Sequence, residues 1–265
     1  MKTHALLLAA TLFASAASAF AQPATFVAAP PAAATAGGSA TYFGVVATHD
    51  AQHEQFARLR QALAASRATV VLYEKPDMGV DSTEAATVQR CGESGYARLL
   101  AQQHGLPAER LDDPVAEYEY LRARTEPTQL KLYYLLRTCQ RLRQNTGASK
   151  AMLNQGLQAL IKQSASFLPG TEQVIQSPAE FVAAYRRLCP TGGQWWRRAA
   201  DFEAQAQPLA SPAPEAFVQA INNDLRAYRA QRLAQLVAAK VAAGERVLVV
   251  LDHRHLPVPT TYAAR

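Results

Sequence analysis

The chain has 265 residues, of which 49% are hydrophobic and 18% charged, a balance ordinary for a globular protein with a sizeable core. Its formal charge of +6, which falls to +5 without Lys2, is too mild a basic excess to point to nucleic acid; in an exported chain it suits solubility or attraction to anionic surfaces. Three cysteines with no C-x-x-C spacing argue against a thiolate metal site.

Residues 1–21 read as a cleaved secretory signal peptide. Lys2 and His4 precede the apolar run ALLLAATLFASAASA, and Ala19-Phe20-Ala21 forms an A-x-A site before Gln22. The run is too short and alanine-rich for a membrane span. The expected location is periplasmic or secreted, where one pair among Cys91, Cys139 and Cys189 is free to oxidise, with no pairing indicated. Removing the leader leaves 244 residues, enough for one domain spanning 41–265. Residues 22–40, rich in Ala, Pro and Gly, read as a flexible leader.

Two β-branched and aromatic runs, 41–50 (TYFGVVATHD) and 68–77 (ATVVLYEKPD), suit buried parallel strands. Between them an amphipathic helix would bury Phe56, Leu59 and Leu63, with Asp50 as its N-cap. Residues 75–94 read as a polar loop, followed by a short helix from Tyr96 to His104 closed by Gly105. ERLDDP reads as an edge strand, then Asp113 and Pro114 open a helix with Val115, Tyr118 and Leu121 inward.

From about 125 to 210 the pattern is helical throughout. One helix starts at Pro127 and carries Leu130, Tyr133, Leu136 and Leu142; a second carries Met152, Leu153, Leu157 and Ile161. A third opens on the capping box Ser177-Pro178-Ala179-Glu180, and QWWRRAADFEAQ begins another short helix. The longest helix, about 215–243, leads through Gly244 into the apolar strand RVLVVL. Strand signals thus cluster at the two ends of the mature chain. The expected fold is α/β, a mostly parallel sheet built from both ends, with a large helical insertion about 125–210.

In such sheets ligands bind at the carboxyl ends of the strands. His49 and Glu74 stand at two of those ends, and a last strand laid beside the first ones brings His253 or His255 to the same edge. Two imidazoles and a carboxylate suit either a divalent metal with an open water position or a metal-free histidine base on water. The bland alternative for each histidine is a hydrogen bond from a strand end to backbone. His53, one turn after His49, suits either a supporting ligand or, more commonly, an exposed helix residue; His104 suits a helix C-terminal cap, and Arg226 and Arg232 a solvated helix face. Trp195 and Trp196 suit either a lid over the site or, more commonly, an anchor against the core.

These elements resemble the superfamily of TraB/GumN and Tiki proteins, erythromycin esterases and ChaN-type haem-binding proteins. VATH ending at His49 resembles its G-x-x-H strand end, VVLYE its glutamate-ended second strand, and Gly92-Glu93 its glycine–glutamate pair. Asp112 of RLDDP, Arg229 of RAQRLA, and His255 of VLVVLDHRHL fall at its later motifs, while Val46 and Asp252 stand where two family glycines would be. The resemblance covers 41–122 and 215–258. It implies a hydrolase acting on a small-molecule or peptide substrate, with His49, Glu74, His255 and Glu93 catalytic. Arg229 and Asp112 would contact substrate, and His49, Glu74 and His255 would ligate Mn, Co or Zn if a metal takes part. The alternatives are a haem- or anionic-ligand-binding protein of ChaN type and a non-catalytic domain with a degenerate site. No nucleic-acid partner and no transmembrane segment are expected.

Overall fold

The computed structural model describes residues 26–28, 37–74, 78–197 and 216–256. Five strands form one sheet: β1 (Phe26–Ala28), β2 (Ser39–Val45), β3 (Val70–Tyr73), β4 (Ala108–Arg110) and β5 (Arg246–Asp252), in the order β1-β2-β5-β3-β4. β2, β5, β3 and β4 are parallel, and β1 adds antiparallel to β2. The last strand therefore lies between the first two of the parallel set. The fold is α/β, with its parallel sheet drawn from both ends of the chain. β1 falls within the stretch read as a leader, so that segment contributes an edge strand.

Strand alternation explains why the apolar runs are continuous: each is covered on both faces. Phe43, Val71, Tyr73, Leu248 and Val250 pack with Phe56, Leu59 and Leu63 of α1 (Gln55–Ser66) and with Val88, Tyr96 and Leu100 of α2 (Glu84–Gln103). Val70, Leu72, Val247, Val249 and Leu251 face the other way, against Val237, Leu233 and Leu236 of α7 (Ala216–Ala242). Each such side chain contributes roughly 1.5–3 kcal/mol by leaving water.

β2 ends at Val45, earlier than its apolar run. The buried Gln55 side chain takes over there, accepting from the Val46 N–H at 2.9 Å and donating to the Val46 carbonyl at 2.9 Å. A side-chain amide thus replaces a neighbouring strand. Asp50 is not the N-cap of α1. It closes a turn four residues before Glu54, its Oδ1 accepting from the Gln52 N–H at 2.9 Å.

The stretch 75–94 is not a loop throughout. α2 starts at Glu84, where Thr83 Oγ1 accepts from the Ala86 N–H at 3.1 Å, and runs to Gln103 across a kink at Gly92. That kink breaks the helical period in the sequence and hid the first two turns. Beyond β4, Asp113 caps α3 (Pro114–Arg122) as expected, accepting from the Val115 and Ala116 N–H groups at 3.1 Å. Val115, however, is 73% exposed, because this short helix turns Glu117, Tyr118 and Leu121 inward instead.

The insertion comprises α4 (Pro127–Thr146), α5 (Lys150–Phe167) and α6 (Pro178–Leu188). Its core, including Leu132, Tyr133, Leu157 and Phe181, also takes in Tyr118 of α3 and Phe217, Ile221 and Leu225 of α7. α7 thus belongs to two cores, its first half to the helices and its second half to the sheet. Ser177 Oγ caps α6 from the Glu180 N–H at 3.2 Å, while Glu180 reaches back to the Gln176 N–H at 2.9 Å, one residue beyond the ideal box. Met152 is 53% exposed, so it lies outside the α5 stripe that buries Leu153, Leu157 and Ile161. Trp195–Arg197 form a turn rather than the start of a helix, and the remainder of that expected helix lies outside the described residues, as do residues 1–21. No helix among the described residues is long and apolar enough to cross a membrane.

Candidate active site

Glu74 follows β3 directly, and its N–H donates to the Val250 carbonyl at 3.1 Å, so the backbone pins it against the central strand. β5 ends at Asp252, whose Oδ1 accepts from the Arg254 N–H at 2.9 Å and starts the 3₁₀ turn His253–His255. That turn folds back over the sheet edge and delivers His255 to Glu74. The imidazole Nδ1 lies 2.7 Å from Oε1 and 2.9 Å from Oε2 of the Glu74 carboxylate. The Asp252 N–H donates to the same carboxylate at 3.0 Å. Facing a carboxylate, Nδ1 carries the proton, which leaves Nε2 with its lone pair.

Gly44 makes this turn possible. A Cβ there would stand 2.8 Å from Leu256 Cδ1 and 3.0 Å from His253 Cα. The strand-end glycine that matters for packing is therefore Gly44, two residues before Val46. The neighbouring His253 directs Nδ1–H to the Val45 carbonyl at 3.3 Å and so takes a backbone role.

His49 reaches the edge from the other side. At Gly92 the chain adopts φ 63°, ψ −152°, a left-handed conformation that glycine tolerates and that interrupts α2. The interruption leaves the Gln89 and Val88 carbonyls open to another donor, and His49 Nδ1–H serves both, at 3.0 and 3.3 Å. His49 is thereby held with Nε2 as its second nitrogen, like His255. Glu93, the next residue after the kink, has its carboxyl held above the usual range by burial. Its own N–H, the Thr48 N–H and the nearby His49 pull it down, and Asp252 pushes it up. Glu93 thus shares an electrostatic environment with both ends of the site. Burial likewise pushes the Asp252 carboxyl upward, but the Arg254 guanidinium and N–H outweigh it and hold the group below its ordinary value.

Arg229 and Asp112 form the third side. Arg232, one turn beyond Arg229, donates to the Leu111 carbonyl just past β4 at 3.2 Å, which sets this part of α7 level with the strand ends. Arg229 is committed to a carboxylate of the protein itself: Nε and Nη2 each donate to the Glu117 carboxylate at 2.8 Å. Burial would depress the guanidinium, but Glu117 outweighs it, with Glu74 and Asp112 adding to the effect. Asp112 is buried, its Oδ2 lying 3.4 Å from Arg110 Nε. Glu117 was not singled out in the sequence. Its partner lies 112 residues away, and no local spacing announces it.

No family model, curated protein or solved structure matches the chain. Among the described residues no group of three His, Cys, Asp or Glu side chains is placed to hold a metal ion. All three cysteines are buried thiols, and burial pushes Cys139 up to about 12, far from a nucleophile's range. Trp195 is buried edge-on against Phe181, which makes it the anchor rather than a lid. What remains is a carboxylate-oriented imidazole at the sheet edge, a second imidazole fixed by backbone, and a half-buried carboxyl shifted toward its protonated form.

Proposed function

We propose that the chain is an exported hydrolase in which His255, oriented by Glu74, activates water against an ester or amide carbonyl. The observation that carries this reading is the Nδ1 contact of His255 with both Glu74 oxygens, at 2.7 and 2.9 Å. A histidine so held keeps one tautomer and one orientation, and the carboxylate stabilises the imidazolium that forms. Nε2 takes a proton from water, the new hydroxide oxygen attacks the carbonyl carbon, and the carbon–heteroatom bond to the leaving group breaks. The leaving group then takes a proton from the imidazolium, and Glu93, beside His49, is the second acid of the site. The resemblance to the TraB/GumN–Tiki–erythromycin esterase group supports the same residues, and the N-terminal pattern supports export.

A metal-assisted form is the second reading. His49 and His255 both spend Nδ1–H on acceptors and present Nε2, the arrangement by which proteins orient metal-binding imidazoles. A metal there would supply an acidified water.

The test is hydrolysis of a panel of nitrophenyl esters and peptides by the mature chain. His255→Ala and Glu74→Gln are expected to lose on the order of 10²–10⁴ in rate, the usual contribution of a positioned base. Unchanged rates in both variants would overturn the proposal. Melting with and without Mn²⁺, Co²⁺ and Zn²⁺ separates the readings: a rise absent from His49→Ala and His255→Ala favours the metal.

A further inference from the structure

The insertion carries a charge pattern that the hydrolase reading does not use. Residues 127–197 contain nine Lys and Arg against two Asp and Glu, a net +7 in a chain whose total is +6. No acidic residue occurs from 127 to 171. The cations are not spread evenly. The three-residue connection 147–149 puts the end of α4 and the start of α5 at one corner, and the Trp195–Arg197 turn joins them there. Arg143 Nη1 donates to the Trp196 carbonyl at 2.7 Å, and Lys150 Nζ stands 4.0 Å from the centroid of the Trp196 ring. Lys150 and Arg197 are exposed and Trp196 is half-buried.

Helix electrostatics account for only part of this corner. Arg143 in the last turn of α4 complements the helix C-terminus. Lys150 opens α5 at its N-terminus, where a cation is disfavoured, and Arg197 belongs to no helix.

We propose that this corner docks the chain on an anionic lipid bilayer. Clustered Lys and Arg are drawn to anionic headgroups, while an indole suits the boundary between headgroup and acyl chain. Nucleic acid fits less well, because it seeks an open aromatic face for stacking. Here the Trp196 face is occupied by Lys150, and its edge packs against Trp195 at 6.0 Å between centroids. The proposal is independent of the hydrolase reading.

The test is co-sedimentation of the mature chain with phosphatidylcholine vesicles, with and without phosphatidylglycerol. Binding is expected only with phosphatidylglycerol, reversed by high salt, and accompanied by a blue shift of tryptophan emission. At about 1 kcal/mol per cation, Lys150→Gln with Arg197→Gln lowers partitioning by about thirtyfold. Both side chains are exposed, and an unchanged melting curve verifies folding. No binding to phosphatidylglycerol vesicles overturns the proposal, as does equal binding by the double variant. Tight binding to duplex DNA without vesicle binding assigns the corner to nucleic acid and overturns it too.

Discussion

The sheet and the helical insertion are stabilised in similar ways but use their polar residues differently. At the sheet edge, acidic and basic groups are interleaved and committed to one another: Glu74 with His255, Asp252 with Arg254, Glu117 with Arg229. In the insertion, acids are nearly absent and the cations at the α4–α5 corner meet an aromatic ring and a carbonyl instead. Its one deeply buried cation, Lys131, is 1% exposed and donates to the Thr171 carbonyl at 3.1 Å. Burial lowers its pKa. A region that pairs its charges builds geometry, and a region that leaves one sign in excess builds a field. The first suits chemistry on a bond and the second suits attraction to a surface.

α7 joins the two regions, so they should melt together. Leu72 in the sheet and Leu132 in the insertion are both fully buried. Each Leu→Ala change should cost about 2–5 kcal/mol, and both should shift one common transition in circular dichroism and calorimetry. Two separated transitions in Leu132→Ala would break the view of α7 as a rigid link. Glu117→Ala comes next in size. It leaves Arg229 unpaired in a half-buried position between α3 and α7, for a loss of about 3 kcal/mol read by urea denaturation. Glu117→Gln, which keeps an acceptor, should recover part of that loss.

The smallest expected effect sharpens the role of Glu93. In the folded chain its carboxyl is held above the ordinary value of 4.5, so the folded state keeps the proton to higher pH than the unfolded chain. Its contribution favours folding below the ordinary carboxylate range and is lost as pH rises through the raised value. Glu93→Gln removes that loss and still accepts from the Thr48 N–H. The variant should therefore melt higher than the parent near neutrality. The difference should close as pH falls below the carboxylate range. A constant difference across pH would show that burial of Glu93 is not coupled to its ionisation.

Much of this architecture is legible in local sequence because its causes are local. Continuous apolar runs mark strands covered on both faces, Asp113-Pro114 and Ser177-Pro178 supply their own helix starts, and Gly244 closes α7 before β5. The placement of β5 beside β2 and β3 followed from the same runs, since an all-apolar strand needs neighbours on both sides. Where a local signal is interrupted, reading fails: Gly92 splits α2, and Gln55 ends β2 with a side chain rather than a turn residue.

By itself, the sequence determined the α/β class, the two-ended sheet and the helical insertion, and it set Glu74 at the exit of β3, while β2 ends four residues before His49. Only the tertiary structure decided what those groups touch. The His255–Glu74 pair spans 181 residues, the His49 bond to the α2 carbonyls 40, and the Arg229–Glu117 fork 112. Secondary structure depends on periodicities within a few residues. Protonation, tautomer and charge pairing depend on groups that meet only after the chain has folded.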